Sequence, residues 1–176
     1  PTTTLEYDSR DKLFTPTQGL YAETSVMASR EALGASDDFE RVEQLLMGWV
    51  PLQPRLFLGA RGDYTWSSSG TPFFLRPYVA LRGVPAMRYQ GQQAASFETE
   101  LRWQFYERWS VLAFGGVGAT RSERRDDVLR QSVGSGGFGF RYELARKFGL
   151  HAGLDVAHSP GTTAFYLQVG SAWFRP

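Results

Sequence analysis

The sequence predicts an all-β protein, in particular an antiparallel transmembrane β-barrel with eight or nine strands in a single domain over residues 1–176. Three observations favour this class: apolar and polar residues alternate along the chain, short turns alternate with long connections, and aromatic residues collect near predicted strand ends. The clearest alternation lies in Phe97–Phe105, where four large apolar side chains share one face and two glutamates, an arginine and a glutamine share the other. A soluble β-sandwich or β-barrel is the alternative.

The composition agrees with a sheet-rich domain. The 176 residues predict one domain, and 19 basic against 18 acidic residues leave no nucleic-acid-binding charge. The 19 glycines and 15% aromatic residues suit strands and tight turns, and no run approaches the roughly 18 apolar residues of a membrane helix. The mean hydropathy is −0.32, a value that a membrane barrel can have because its lumen residues offset its lipid-facing ones.

The first four predicted strands differ in how cleanly they alternate. In Thr4–Arg10, two apolar residues alternate with three charged ones. Leu20–Ser29 places a glutamate and two serines on one face, whereas Phe39–Leu52 is apolar on both faces. Arg55–Ser67 alternates between apolar residues and a face that carries Asp63 and an arginine. Three of the four therefore show the period of two that is typical of strands with one polar face, and Phe39–Leu52 is the exception.

Five further strands are predicted after a long gap. Ala95–Tyr106 contains the clearest alternation, and Trp109–Thr120 is rich in glycine. Ser132–Leu144 sets four large apolar residues against glycines and charged residues, and Phe148–His158 sets small and branched apolar residues against polar ones. Ala164–Phe174 ends the predicted sheet with aromatic residues on one face.

The apolar faces are predicted to contact lipid. Seven residues are expected on this outer wall: Leu101, Trp103, Phe105, Phe138, Phe140, Leu154 and Leu167. In the last segment, the residues predicted to share the outer face are Phe165, Leu167, Val169 and Trp173.

The predicted connections alternate in length. The short turns are Gln53-Pro54, Glu107-Arg108 and Arg146-Lys147, and the long loops are Arg30–Asp38, Ser68–Gln93 and Arg121–Gln131. Short turns on one side and long loops on the other are typical of outer-membrane barrels. Asp11–Gly19 and Ser159–Thr163 depart from this alternation.

Nine strands are an awkward number, because bacterial single-chain barrels use an even number. Either Thr4–Arg10 is not a full strand and the chain forms a small closed barrel, or the nine strands are part of a larger barrel. A larger barrel would be completed by an upstream half or by a homodimer. The loop Ser68–Gln93 favours the wider lumen of the larger barrel, because eight strands leave room only for side chains.

Four motifs in order carry a resemblance to a known family: LEYDSRDKLFTPTQGLY (Leu5–Tyr21), LRGVPAMRYQG (Leu81–Gly91), ELRW (Glu100–Trp103) and YLQVGSAW (Tyr166–Trp173). The chain resembles the bacterial surface-antigen family, which includes the BamA and TamA outer-membrane assembly factors and the two-partner-secretion transporters. The resemblance covers nearly the whole chain and corresponds to the C-terminal half of a sixteen-stranded barrel.

The resemblance implies roles for several residues. Arg82 and Gly83 match a loop motif that folds into the lumen, where the arginine binds acidic residues of the inner wall. Glu100 matches one such wall position, but Gly116 stands where the family's Phe-x-Asp-x-Gly pattern has its aspartate. The inward carboxylates that could pair with Arg82 are Glu100, Glu98, Asp63 and Asp155, and a solvated Arg82 is the alternative. The residues of the predicted C-terminal strand signal are Tyr166, Gly170, Trp173 and Phe174.

The resemblance also implies a location and a function. The chain is expected in the bacterial outer membrane, in contact with lipid and lipopolysaccharide, and is expected to insert or translocate client proteins. The alternative is an outer-membrane anchor or small pore without client handling, as the barrel part of a larger passenger-carrying protein. The chain has no cysteine and no Gly-x-Ser-x-Gly motif, and its two histidines lack a ligand set. We therefore predict no enzymatic activity, metal or cofactor.

Overall fold

The computed structural model describes residues 1–34, 37–124 and 127–173, without the side chains of Leu33, Arg124 and Asp127. It is an antiparallel sheet, which confirms the all-β prediction. Its strands in chain order are β1 (Thr2–Asp8), β2 (Gly19–Ser29), β3 (Phe39–Gln53), β4 (Leu56–Ser67), β5 (Gln93–Tyr106), β6 (Trp109–Arg124), β7 (Asp127–Ala145), β8 (Leu150–Ser159) and β9 (Thr162–Val169). Short 3₁₀ turns lie at Glu31–Leu33, Phe73–Leu75 and Arg146–Phe148. None of the helical segments in these ranges is long and apolar enough to cross a membrane.

Each strand pairs with its neighbour in the chain, so the sheet is a meander. The longest ladder joins β6 to β7 and runs from Trp109 opposite Tyr142 to Arg124 opposite Asp127. Among the described residues no ladder joins β1 to β9, so the sheet is open. A long segment between β4 and β5, residues 68–92, is the central loop of the molecule.

One face of the sheet is apolar and exposed. The seven residues predicted for the outer wall are all exposed, from 40% for Phe140 to 79% for Leu167, and their contact with lipid stays a prediction. Because successive side chains of a strand point to opposite faces, the charged residues between them lie on the other side.

The opposite face is polar and buried. Its charged residues with less than a tenth of their surface exposed are Glu98, Arg102, Arg141 and Asp155. Three apolar clusters lie beside them, and the largest joins Tyr21, Leu45, Met47, Trp49 and Trp173. Soluble proteins bury apolar side chains and expose charged ones, whereas this sheet buries these four charged side chains and exposes a face of large apolar ones.

The prediction of a long loop at Arg121–Gln131 is wrong. Polar residues there continue the β6–β7 ladder, with Thr120 opposite Gln131 and Glu123 opposite Val128. Polarity alone therefore did not distinguish a loop from a ladder that extends beyond the rest of the sheet.

Several strands also begin or end at residues other than the predicted ones. β1 ends at Asp8 rather than Arg10, because the Arg10 side chain turns back to bind Asp8 and lies over the Tyr21 ring. β8 begins at Leu150 rather than Phe148, because the preceding residues form a 3₁₀ turn. The turn between β3 and β4 is Pro54-Arg55, one residue later than predicted.

The predicted face of Trp173 is wrong as well. β9 ends at Val169, and Gly170 has a φ of +85°, which glycine adopts without strain. The chain then turns towards the polar face, where Ser171 N–H donates to Phe14 O and Trp173 packs against Trp49 with ring centroids 5.9 Å apart. Trp173 is therefore 5% exposed and lies opposite to Phe165.

Candidate functional site

The central loop 68–92 packs onto the polar face near β6 and β7. Its Val79, Leu81 and Val84 form a buried cluster with Val133 of β7. Glycine on β6 makes this approach possible, since a Cβ at Gly116 would lie 2.8 Å from Leu81 Cδ2 and one at Gly118 would lie 2.4 Å from Val79 Cγ1. The loop therefore lies in a trough that larger side chains would fill.

The trough places the Arg82 guanidinium among three carboxylates. Nε donates to Glu98 Oε1 at 2.9 Å, and Nη1 donates to Asp155 Oδ2 at 3.1 Å. Nη1 also lies 2.8 Å from Glu100 Oε2. Arg82 is 8% exposed, and a charge buried to this degree requires such partners.

Aromatic rings complete the surroundings of the guanidinium. Its carbon lies 3.6 Å from the centroid of the Phe114 ring and 5.9 Å from that of Trp173, distances at which a cation is attracted to a ring face. Burial lowers the pKa of Arg82, but the charges of Glu100, Glu98 and Asp155 and the hydrogen bond to Glu98 together raise it by more, so that it lies above its ordinary value. The group is a permanent cation.

Two of the carboxylates are held by residues outside the loop. Arg141 of β7 binds Asp155 of β8 through both guanidinium nitrogens, with Nη2 2.9 Å from Oδ2. Trp173 Nε1 donates to Glu98 Oε1 at 2.6 Å. The wall around Arg82 is therefore ordered by contacts that do not depend on the loop.

The residues after Arg82 attach the loop to the last two strands. Gly83 N–H donates to Tyr166 Oη at 2.9 Å, and Gly83 O accepts from Ser159 Oγ at 2.7 Å. Arg88 donates to Pro160 O at 3.3 Å and to Thr162 Oγ1 at 3.1 Å. The loop thus bridges from β5 across to β9.

The structure brings together most of the predicted site residues, but not all of them. Arg82 contacts Glu98, Glu100 and Asp155, whereas Asp63 pairs with Arg61 at 2.6 Å and accepts from Ser96. Of the predicted C-terminal signal, Tyr166 lies in β9, Gly170 and Trp173 follow it, and Phe174 lies outside the described residues.

Sequence reasoning missed three contributors to this site: Phe114, Arg141 and Ser159. Arg141 was expected on the inward face, but nothing in a strand pattern pairs it with Asp155 on the next strand. In the register Asp155 lies opposite Gly139, where a Cβ would come within 2.0 Å of the carboxylate. The signal available for this pairing was Gly139, a glycine that the register places opposite the buried Asp155.

A small charged cavity of about 70 Å³ adjoins the loop, lined by residues that include Glu43, Arg61 and Asp63. It has room for a few water molecules and is too small for a polypeptide segment. Within the described part of the chain, no group of three or more histidine, cysteine or acidic residues is placed to hold a metal ion.

Comparison with known proteins gives no family for the chain. No protein-family model matches it, and no curated protein matches it significantly.

Proposed function

We propose that the chain is a wall of an outer-membrane β-barrel of the surface-antigen type, and that it acts in the insertion or translocation of proteins. The observation that carries this proposal is the reversed distribution of side chains: the apolar face is exposed and the charged face is buried. Water makes that arrangement unfavourable, and a lipid bilayer makes it favourable.

The central loop supports the functional part of the proposal. Arg82 is bound by three carboxylates, and Gly83 is bound to β8 and β9, so the loop is a closed plug on the polar face. Neither these contacts nor the apolar cluster that the loop forms with Val133 is part of a β ladder, so the plug can leave without breaking the ladders. A removable plug suits a protein that passes or inserts polypeptides better than it suits a static anchor.

Tryptophan quenching tests the membrane part of the proposal. Variants that keep only Trp103, which is 54% exposed, or only Trp49, which is 8% exposed, are reconstituted into vesicles containing lipids brominated on their acyl chains. We expect strong quenching of Trp103 and weak quenching of Trp49. A chain that is monodisperse without detergent, with equal quenching of both residues, would exclude the membrane-wall proposal.

A folding assay tests client handling. The reconstituted chain is compared with empty vesicles and with an Arg82→Ala variant for the rate at which an added unfolded eight-stranded barrel protein inserts. We expect the wild type to accelerate insertion and the variant to differ from it.

The second candidate function is a small pore or anchor, favoured by the absence of a carboxylate at Gly116. Equal insertion rates in all three samples, with ion leakage that rises on Arg82→Ala, would support the pore and refute client handling.

A further inference from the structure

The surroundings of Arg82 form a receptor for a guanidinium group, and this receptor is built from the sheet. Nε and Nη2 lie against Glu98 Oε1, at 2.9 and 2.8 Å, while Nη1 lies between Glu100 and Asp155. The Phe114 ring covers one face of the group at 3.6 Å. Both edges of the planar, forked cation therefore lie against carboxylates, and Nη2 meets Glu98 Oε1 at ion-pair distance without a hydrogen bond.

We propose that this receptor binds an arginine side chain of another polypeptide, in exchange for Arg82, when the central loop leaves the polar face. The inference rests on the proposed function and deepens it, because it names the chemical class that the vacated site accepts. The exchange forms and breaks only ion pairs and hydrogen bonds.

The receptor stays ordered when Arg82 is removed. Asp155, with no exposed surface, keeps both bonds to Arg141, and Glu98 keeps the bond from Trp173 Nε1. Phe114 is packed with Leu112 and Ala157 of the sheet. A site whose walls are fixed in advance binds its ligand without a large ordering cost.

The charge of the vacated receptor selects a cation. Among the described residues, Arg141 is then the one cation bonded to these three carboxylates, and Trp173 Nε1 is a neutral donor to Glu98. The charge of Arg102 also acts on Glu100, and three carboxylates against two arginines still leave an excess of negative charge in a buried place. Leaving that charge unpaired is unfavourable, so a ligand that restores it is bound. The flat Phe114 ring and the separated carboxylates favour a planar guanidinium over the compact ammonium of lysine.

The first experiment uses chemical rescue of Arg82→Ala and of Arg82→Gln in detergent micelles. Each variant is titrated with millimolar N-methylguanidinium and, in parallel, methylammonium, and the thermal unfolding midpoint is followed. We expect N-methylguanidinium to raise the midpoint saturably by about 2–4 °C. We expect no such rise with methylammonium, in the wild type, or in Arg82→Ala/Asp155→Asn. Equal responses to the two cations, or no response in either variant, would overturn the proposal.

The second experiment keeps Arg82 and follows the loop. The chain has no cysteine, so Val84→Cys, at a position that is 7% exposed, supplies a single label site in the loop. We expect N-methylguanidinium and the peptide Gly-Arg-Gly to accelerate thiol labelling severalfold, and Gly-Lys-Gly to leave it unchanged. Labelling that none of the three changes, or that all change equally, would refute the exchange.

These tests need only the folded chain in micelles, without vesicles or clients. Failure here with successful Trp103 quenching and client insertion would remove the receptor and leave the proposed function. Failure of the vesicle experiments together with successful rescue would remove the proposed function and leave the guanidinium receptor.

Discussion

Asp155 has no exposed surface, and arginines from two different elements engage both of its carboxylate oxygens. We predict that Asp155→Asn destabilises the chain by about 3–5 kcal/mol, because it removes the carboxylate that is bonded to the buried Arg141 and one of the three carboxylates around Arg82. The free energy of unfolding, measured with urea in micelles, checks this. Asp63→Asn is the matched control, since Asp63 does not contact Arg82. Equal losses of unfolding free energy in Asp155→Asn and Asp63→Asn would contradict the prediction that Asp155 is the more important countercharge.

Gly116 shows that a missing carboxylate need not mean a missing contact. Leu81 occupies the space beside it, and Asp155 on β8 supplies a third acid to Arg82. We predict that Gly116→Asp releases the loop instead of strengthening its attachment, because a Cβ there would lie 2.8 Å from both Leu81 Cδ2 and Phe97 O. Limited proteolysis within residues 68–92 measures release. Leu81→Ala in the same chain should slow the cleavage again, and unchanged resistance in Gly116→Asp would contradict the prediction.

Asp11 lies in the turn between β1 and β2, where its carboxylate accepts from Thr17 N at 2.8 Å and from Gln18 N at 3.1 Å. Burial raises its pKa, but the hydrogen bond from Thr17 Oγ1, the two backbone hydrogen bonds and the charge of Lys12 together lower it by more, so the folded-state pKa lies below the ordinary value of 3.8. A lowered pKa contributes stability above the unfolded-state pKa, and this stability is lost as the pH falls through the folded-state value.

We therefore predict that wild type exceeds Asp11→Asn in unfolding free energy at pH 6, and that the difference shrinks below about pH 4. Urea unfolding in micelles at both pH values measures the difference. A difference that grows on acidification would show that Asp11 has the opposite linkage.

At the scale of the element, the strands could be predicted from alternation alone. The period of two is clear in β1, β4 and β5, and each of the nine strands overlaps a predicted segment. The ends differ most at the start of β7, which is Asp127 instead of Ser132, and at the end of β9, which is Val169 instead of Phe174. The β6–β7 ladder beyond Thr120 could not be predicted in this way, because most of its residues are polar or charged and its two apolar residues, Val128 and Leu129, are adjacent and give no period of two.

The loop and the site were harder to predict than the strands. The loop approaches because Gly116 and Gly118 leave a trough, and glycine in a strand does not reveal what fills the space it leaves. Likewise, the inward course of Trp173 depends on one backbone angle at Gly170 and on its contact with Glu98, seventy-five positions away.

Strand β7 supplies a prediction at the element scale. Phe140 is 40% exposed on the apolar face and its ring lies 6.2 Å from that of Trp109. We predict that Phe140→Arg costs about 2–4 kcal/mol in a lipid bilayer if it lies near the midplane. Reversible unfolding in vesicles measures the cost. Substitution of an exposed surface residue in a soluble protein costs within about 0.5 kcal/mol, and a cost that small would argue against lipid contact.

For the whole molecule, three segments meet on the polar face. The central loop lies against β5–β9, the turn before β2 reaches Arg102 through Pro16 O, and the residues after β9 reach Trp49 of β3. Contacts between such distant strands curve the sheet around its polar face. The buried charges on the polar face are thus enclosed by connections as well as by strands.

The odd number of strands has a geometric consequence for the two free edges. Eight successive antiparallel pairings leave β1 and β9 running in the same direction. A ladder formed directly between β1 and β9 would be parallel, in an otherwise antiparallel sheet. The same holds for a ladder between these strands of two copies that have the same orientation in one membrane. Unpaired backbone at an edge is costly in lipid. Antiparallel pairing at both edges requires an odd number of additional strands between β9 and β1. Any strands that close this sheet into an all-antiparallel barrel must therefore be odd in number.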